Sequence, residues 1–456
     1  MSTSVIDALP RALEDIITKE GDAEYDEARR VFNGMIDRRP AAVVHCRNAA
    51  DVAAVVRAAS DSGADLAVRG GGHSVPGFGT GDGAVVVDLS GINDVTVDPD
   101  ASTATVGGGA TLGKFNGTAA PHGLATTAGV VSSTGVGGLA LGGGMGYLAR
   151  AYGLTCDNLV SADVVLADGR VVTASEYQEP DLFWALRGGG GNFGVVTEFT
   201  FAMHPVSQIY GGPMFFELDD GPAILAHYDQ FVRTAPREFG LFAAFQIAPP
   251  LPFVPANRVG EPFVAVVFCH NGSEADGERL VQTFRDVASP VADGVGMMPY
   301  DALCGAFDPL LPPGMQHYWK AAFLDGLTAE TIALHMEHGS KVPIVNSTVH
   351  FYPINGACHD VAPEATAWGH RDAEFALVIA GMWPDPVDND ANIAWVKDYH
   401  AAIEETGLGG GYVNFLSQDD QSRVAASYGA NYDRLRAVKR EYDPGNLFHL
   451  NQNIAP

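Results

Sequence analysis

The stretch RGGGHSVPGFG, residues 69–79, sets three glycines in a row and then a histidine. Glycine loses the most backbone freedom on folding, so a triple glycine weakens either a helix or a strand. Two more glycine-rich runs follow, GVGGLALGGGMG at 135–146 and RGGGGNFG at 187–194. Successive bare N–H groups in tight turns form nests that bind phosphate oxygens without side-chain charge. Two nests far apart in the chain, at 69–74 and 135–146, suggest a diphosphate gripped from two sides and hence a dinucleotide-sized cofactor. Any one run alone is more simply a tightly packed turn, but three runs in one region weaken that explanation. His73 follows the first nest directly, which brings its imidazole within reach of a cofactor ring system.

Two nucleotide signatures nearly match and are rejected. GGATLGKF at 108–115 has P-loop spacing up to Lys114 but places Phe115 where a Mg²⁺-binding hydroxyl is needed. GVGGLA at 135–140 fits a relaxed dinucleotide pattern, yet Gly142, Gly143 and Gly144 interrupt the helix that should follow it.

Outward from the glycines, the first half alternates short strands and helices. AAVVHC reads as a strand, Asn48 as the cap of a helix ending near Gly63, and DLAVRG and GAVVVDLSGI as further strands. Hairpins are expected at DVTVDPDASTATVGGG, turning at 98–101, and at ADVVLADGRVVTAS around Asp168-Gly169. The N-terminal segment suggests a short amphipathic helix with Leu13, Ile16 and Ile17 on one face. After about Pro205, glycine thins and strands such as LFAAFQIA, PFVAVVFCH, STVHFYP and AEFALVIAGMW interleave with helices. That texture predicts an antiparallel sheet with helices on one side.

The chain has 456 residues, 46% of them apolar, which implies more than one core. A formal charge of −28 argues against nucleic acid or anionic membranes, both of which demand basic patches. No apolar run could span a bilayer, and the first residues do not read as a secretory signal. Five dispersed cysteines fit a reducing cytoplasm rather than a disulfide framework or a zinc site. His335 and His338, one helical turn apart, have no third ligand in view and read as a solvated face; no metal is expected.

Four blocks in order carry a family resemblance: RGGGHS, VVSSTGVGGLALGGGMGYLARAYGLTCDNL, DLFWALRGGGGNFGVVTEF and NYDRLRAVKREYDPGNLFHLNQNI. Together they resemble the berberine-bridge-enzyme-like FAD-linked oxidases of the p-cresol methylhydroxylase and vanillyl-alcohol oxidase superfamily. The resemblance implies an α+β chain: an N-terminal helical segment (1–36), a PCMH-type FAD-binding domain of two α/β subdomains (37–207), an α+β substrate domain (208–408) and a C-terminal segment returning to the flavin (409–456). It implies an oxidase that moves a hydride from a small organic substrate to FAD, with reoxidation by O₂ to H₂O₂. A dehydrogenase, an oxygenase or a sugar oxidase is the alternative; a secondary metabolite is the favoured substrate, and the protein is expected to be a monomer or homodimer.

The resemblance also assigns residues. His73 takes the place of the histidine bonded to the flavin 8-methyl carbon. Val131 stands where many relatives carry a second, cysteinyl attachment, so a single bond is expected, and Cys156 reads as structural. Thr134 matches the position that controls oxygen access to the flavin. Arg69, Gly70, Gly71, Gly72, Ser74, Gly135, Gly137, Gly138, Gly144, Val196, Asn414, Asn451 and Gln452 are the remaining expected cofactor contacts. Tyr412, Tyr428, His350 and Tyr352 are the candidate catalytic residues, His350 and Tyr352 sharing one strand face by alternation. Phe245 and Gln246 are weaker candidates, and His122 is read as a loop residue near the cofactor.

Overall fold

The computed structural model describes residues 5–456. Its first layer is a four-stranded sheet of β1 (Ile17–Lys19), β2 (Ala42–His45), β3 (Leu66–Arg69) and β4 (Val85–Asp88), in the order β1-β2-β4-β3. Parallel pairing of β2 and β3 with β4 requires a crossover, and α1 (Ala49–Ser62) supplies it. The Asn48 side chain caps α1 by accepting from Asp51 N–H, and Gly63 ends it in a left-handed turn. Residues 11–17 differ from the expected helix. Arg11–Ile16 is a 3₁₀ turn, and Ile17 opens a strand that pairs antiparallel with β2. The open edge of the first sheet offers hydrogen bonds that outweigh a weak local helical pattern. The segment expected to be purely helical therefore contributes a strand to that sheet, with Leu13 buried in its core.

A second sheet, β5 (Val95–Asp98), β6 (Thr103–Gly107), β7 (Leu159–Val165), β8 (Val171–Ser175) and β9 (Val195–Ala202), runs β5-β6-β9-β7-β8 and is antiparallel throughout. Both expected hairpins are present, as β5-β6 and β7-β8.

The third sheet is the largest. It contains β10 (Gln208–Phe216), β11 (Phe239–Ile247), β12 (Pro262–His270), β13 (Ala292–Asp293), β14 (Gly296–Pro299), β15 (Gln316–Leu324), β16 (Thr348–Pro353) and β17 (Phe375–Trp383), along the path β13-β10-β12-β11-β16-β17-β15 with β14 on β10. Strand alternation divides its side chains between two cores. Phe245, Phe351 and Ile379 pack against Tyr228 and Phe231 of α2 (Gly221–Thr234), Phe284 of α3 (Glu274–Val287) and Tyr399 of α4 (Asn389–Ile403). Phe242, Tyr352, Val378 and Met382 face the opposite core, shared with the glycine-rich half of the chain. Phe245 thus points into the helical layer and is not a site residue, and the Gln246 amide is committed to the carbonyls of Ile247 and Val345. His335 is also corrected: it is fully buried, its Nδ1 lying 2.9 Å from the Tyr399 hydroxyl, while His338 stacks on the same ring. The histidine spacing serves packing around Tyr399, not a solvated face.

The chain ends by returning to the 187–194 loop. On α5 (Tyr432–Tyr442), Lys439 pairs with Asp443 at 2.7 Å, both side chains wholly buried. Lys439 also donates to the carbonyls of Asn192 and Phe448, and Asp443 accepts from the N–H groups of Leu447 and Phe448. Removing one partner of such a pair strands the other charge, at a cost of about 3–5 kcal/mol. Lys439→Met should therefore lower the thermal midpoint clearly and loosen the C-terminal tail to limited proteolysis; an unchanged midpoint would show the pair to be dispensable.

Candidate active site

The glycine runs come together because they have no side chains. A Cβ on Gly71 would stand 2.3 Å from Gly135 N, and one on Gly135 would stand 2.3 Å from Gly71 N. The first two loops thus touch backbone to backbone. Gly72, at φ +70°, turns the chain so that His73 follows next to the second loop. Gly135 leads into a six-residue helix, Val136–Leu141, which stops at the triple glycine 142–144. The third loop is held from the tail. The Asn192 amide donates to the Gln452 carbonyl, its Oδ1 accepts from Ile454 N–H, and Asn451 donates to the Gly191 carbonyl.

Between these loops and the inner face of the large sheet lies a cavity of about 350 Å³. Of the residues assigned to it from sequence, Arg69, Gly70, Gly71, Gly72, His73, Ser74, Val131, Thr134, Gly135, Gly137, Gly138, Val196, Asn414, Asn451 and Gln452 line it. The four catalytic candidates Tyr412, Tyr428, His350 and Tyr352 line it as well. Gly144 stands behind the wall: at φ +79° its Cβ position would meet Thr155 Oγ1 at 2.3 Å, and its N–H donates to the Tyr412 hydroxyl. Its glycine is demanded by packing. His122 ends an exposed turn and does not reach the cavity.

Arg69 lines the cavity without offering it charge. Its guanidinium bonds the carbonyls of Ala28 and Arg30 and lies 3.2 Å from Asp88. That arrangement fixes the segment carrying Phe32, which stacks on the His73 ring with centroids 3.7 Å apart. His73 Nε2 lies 2.8 Å from Ser133 Oγ, and Nδ1 is 3.5 Å from Thr134 Oγ1. Burial lowers the His73 pKa to about 4, so the ring is neutral at pH 7 with a lone pair available.

On the sheet side, the Tyr352 hydroxyl and His350 Nδ1 are 2.8 Å apart. Burial lowers His350 to about 3 and pushes the Tyr352 phenol up, so the pair is neutral and Tyr352 donates to the imidazole. Tyr412 differs. Its oxygen accepts from Gly144 N–H at 2.9 Å and from the Asn414 amide at 2.7 Å, which leaves its own proton as a donor. Tyr428 donates to the Gly189 carbonyl at 3.1 Å and ties down the third loop.

Ser133, Phe32, Asn192 and Trp319 are site residues that the sequence reading passed over. Ser133 stands inside the VVSSTGVGG block, between Val131 and Thr134. Phe32 and Trp319 carried no local signal, because only the fold brings their segments to the cavity.

FAD fits this cavity on its own chemistry. Among the residues lining it there is no Asp or Glu, in a chain of net charge −28, so nothing repels a diphosphate. One buried polar atom of the lining beside the third glycine loop, Asn451 Oδ1, has no protein partner. All five cysteines are unpaired and buried, and none lines the cavity. No helix among the described residues is long and apolar enough to cross a membrane.

Comparison with known proteins agrees with this geometry. Residues 40–175 match the model of an FAD binding domain, and residues 411–455 match that of berberine and berberine-like proteins. The (R)-6-hydroxynicotine oxidase of Paenarthrobacter nicotinovorans is 33% identical, the match covering 98% of each chain. The crystal structure of 6-hydroxy-D-nicotine oxidase from Arthrobacter nicotinovorans superposes with a TM-score of 0.85 at 29% identity, covering 96% of this chain and 97% of that one. Glucooligosaccharide oxidase from Acremonium strictum, which carries a 6-S-cysteinyl, 8α-N1-histidyl FAD, superposes with a TM-score of 0.85 at 25% identity over 98% of both chains.

The loop contact gives a direct test. Gly71→Ala forces the two loops apart and should yield protein with little bound flavin, read from the ratio of flavin to protein absorbance. Gly117→Ala, a helical glycine with nothing within 4 Å of its Cβ position, should keep its flavin and gain up to about 1 kcal/mol of stability. Equal flavin content in both variants would contradict the loop-contact account.

Proposed function

The chain belongs to the berberine-bridge-like family of FAD-linked oxidoreductases, and from that membership we propose that it is an oxidase whose FAD is bonded once, to His73. The observation that carries the attachment is the environment of that imidazole. It is neutral, stacked on Phe32 and hydrogen-bonded at Nε2 to Ser133. With Nε2–H donating to Ser133 Oγ, the Nδ1 lone pair is the nucleophile. A histidyl N1 linkage of the kind described for the glucooligosaccharide oxidase supports the same atom here. A second bond lacks a donor: Val131 has no sulfur, and the Cys156 thiol is buried, with its pKa pushed well up, outside the cavity lining.

Bound FAD supplies the hydride acceptor and returns the electrons to dioxygen as H₂O₂. The protein's part is to place the substrate carbon and to take the proton of its hydroxyl or amine. Of the four candidates, the His350–Tyr352 pair suits the second task. Tyr352 can receive a substrate proton while passing its own to His350 Nδ1, which leaves an imidazolium in place of a phenolate. Tyr412, held by Gly144 and Asn414, orients the substrate as a donor, and Tyr428 serves the loop.

Two measurements test this reading. After acid precipitation the flavin should remain with the wild-type pellet and leave with the supernatant of His73→Ala. Ser133→Ala should lower the covalent fraction without emptying the site. Wild-type flavin washing out would overturn the attachment. Photoreduced enzyme admitted to air should reoxidise promptly and release peroxide; slow reoxidation that speeds up with an artificial acceptor would make it a dehydrogenase.

Once a substrate is in hand, Tyr352→Phe should slow anaerobic flavin reduction by about 10²–10⁴-fold, the span of general acid–base catalysis. A His350 pKa lowered to about 3 keeps that acceptor neutral on acidification, so the wild-type reduction rate should not fall between pH 8 and pH 5 through His350. A drop centred near 6.5, the ordinary histidine value, would contradict the lowered pKa of the buried imidazole.

A further inference from the structure

The sheet face of the cavity carries information about the substrate that the flavin half does not. We infer that the substrate is a neutral, largely apolar molecule of fused-ring size, presenting one oxidisable hydroxyl and, at its far end, one hydrogen-bond acceptor for Trp319. This rests on the oxidase reading above and narrows it.

Charge comes first. Among the residues lining the cavity, Arg69 carries the only formal charge, and its guanidinium is committed to Asp88 and to the carbonyls of Ala28 and Arg30. A cationic substrate would enter without a counter-charge, and an anionic one without a free cation.

Polar capacity comes second. On the sheet side, Thr348 donates to the Phe245 carbonyl, His350 and Tyr352 bond each other, and the Asn414 amide donates to the Gly138 and Leu139 carbonyls. What remains is the reactive pair itself, the Tyr412 proton, the Asn414 oxygen and the indole N–H of Trp319, which is buried without a partner. An oligosaccharide brings many hydroxyls into a space with few free partners, and each left unpaired opposes binding. One hydroxyl and one acceptor match the inventory.

Shape comes third. Phe415 is a hub, its ring centroid 4.7 Å from Tyr412, 5.9 Å from Trp319 and 6.2 Å from Tyr352. Phe307 and Met382 add apolar wall. Such ring-lined surfaces favour flat apolar bodies. In the sheet register Trp319 stands opposite Ala380, and Ala380 opposite Thr348, two residues before His350. Two strand spacings amount to about 10 Å, and the two-residue offset along the strand to His350 lengthens the backbone separation to about 12 Å. The acceptor and the oxidised hydroxyl therefore sit at opposite ends of a body about as long as two fused rings.

The reaction balances as an alcohol oxidation. The carbinol C–H bond breaks and its hydride goes to the flavin, the O–H proton goes to the His350–Tyr352 pair, and a C=O double bond forms. Dioxygen then takes the two electrons and two protons as H₂O₂.

The test uses flavin-loaded enzyme and four probes: 2-naphthylmethanol, its 6-methoxy derivative, xylobiose and protonated nornicotine. Perturbation of the flavin spectrum reads binding, and anaerobic bleaching reads reduction. The naphthyl alcohols should bind at least about tenfold more tightly than xylobiose or nornicotine, the methoxy compound more tightly than its parent. Trp319→Phe, checked for unchanged flavin content, should weaken binding of the methoxy compound more than that of its parent and so remove the methoxy advantage. Tighter binding or faster bleaching by xylobiose or nornicotine overturns the substrate class, as does the absence of any spectral response to the naphthyl alcohols at millimolar concentration. Loss of both naphthyl affinities to the same extent in Trp319→Phe overturns the acceptor assignment. Air reoxidation of photoreduced enzyme needs no substrate, so the oxidase reading stands or falls independently of these outcomes.

Discussion

The contact between Gly71 and Gly135 is the constraint on which the site depends. Two segments more than sixty positions apart meet with less than a methyl group between them. That meeting places His73 beside Ser133 and Thr134 and makes one wall of the cavity from two loops. Glycine here serves close approach as much as ligand binding. Each glycine sacrifices some backbone stability, and the sheets and the buried Lys439–Asp443 pair supply the rigidity that holds the loops in register.

The large sheet separates two tasks by strand alternation. One face, with Phe245, Phe351 and Ile379, builds a dry core with the helices. The other, with Tyr352, Val378 and Met382, closes the cavity. A one-residue slip of β16 would bury His350 and Tyr352 among the helices and turn Phe351 toward the cavity. Pairing on both sides, to β11 and β17, fixes that register, so His350 and Tyr352 are positioned by backbone hydrogen bonds rather than by a loop.

Much of this was legible in the sequence, and what was not has a physical reason. The glycine runs, Asn48, the two hairpins and the alternation in STVHFYP are local signals, and the structure contains each of them. His73 was legible as a neighbour of the glycine nest. The partners that define its chemistry were not: Phe32 comes from the N-terminal segment and Ser133 from the second loop. Long-range pairing also explains the departures. Ile17 looked helical until β2 offered it an edge, and His335 looked solvated until Tyr399 covered it. Trp319 could not be placed from alternation alone, because the path β11-β16-β17-β15 is not the order of the chain.

The distribution of charge links the fold to its chemistry. With 55 acidic residues against 27 basic ones, a random lining of the cavity would include carboxylates. It includes none, and the one arginine is turned outward into an ion pair with Asp88. Excluding carboxylates serves both halves of the cavity. Near the glycine loops it leaves nothing to repel a diphosphate, which backbone N–H groups would hold through fixed dipoles that act strongly in a low dielectric. Near the sheet it leaves the neutral His350–Tyr352 pair as the proposed route for a proton. A buried carboxylate base would need a compensating cation or a large shift of its own pKa. Burial instead shifts both members of the His350–Tyr352 pair toward their uncharged forms, so the pair needs no compensating cation at rest and can sit in apolar, ring-lined surroundings.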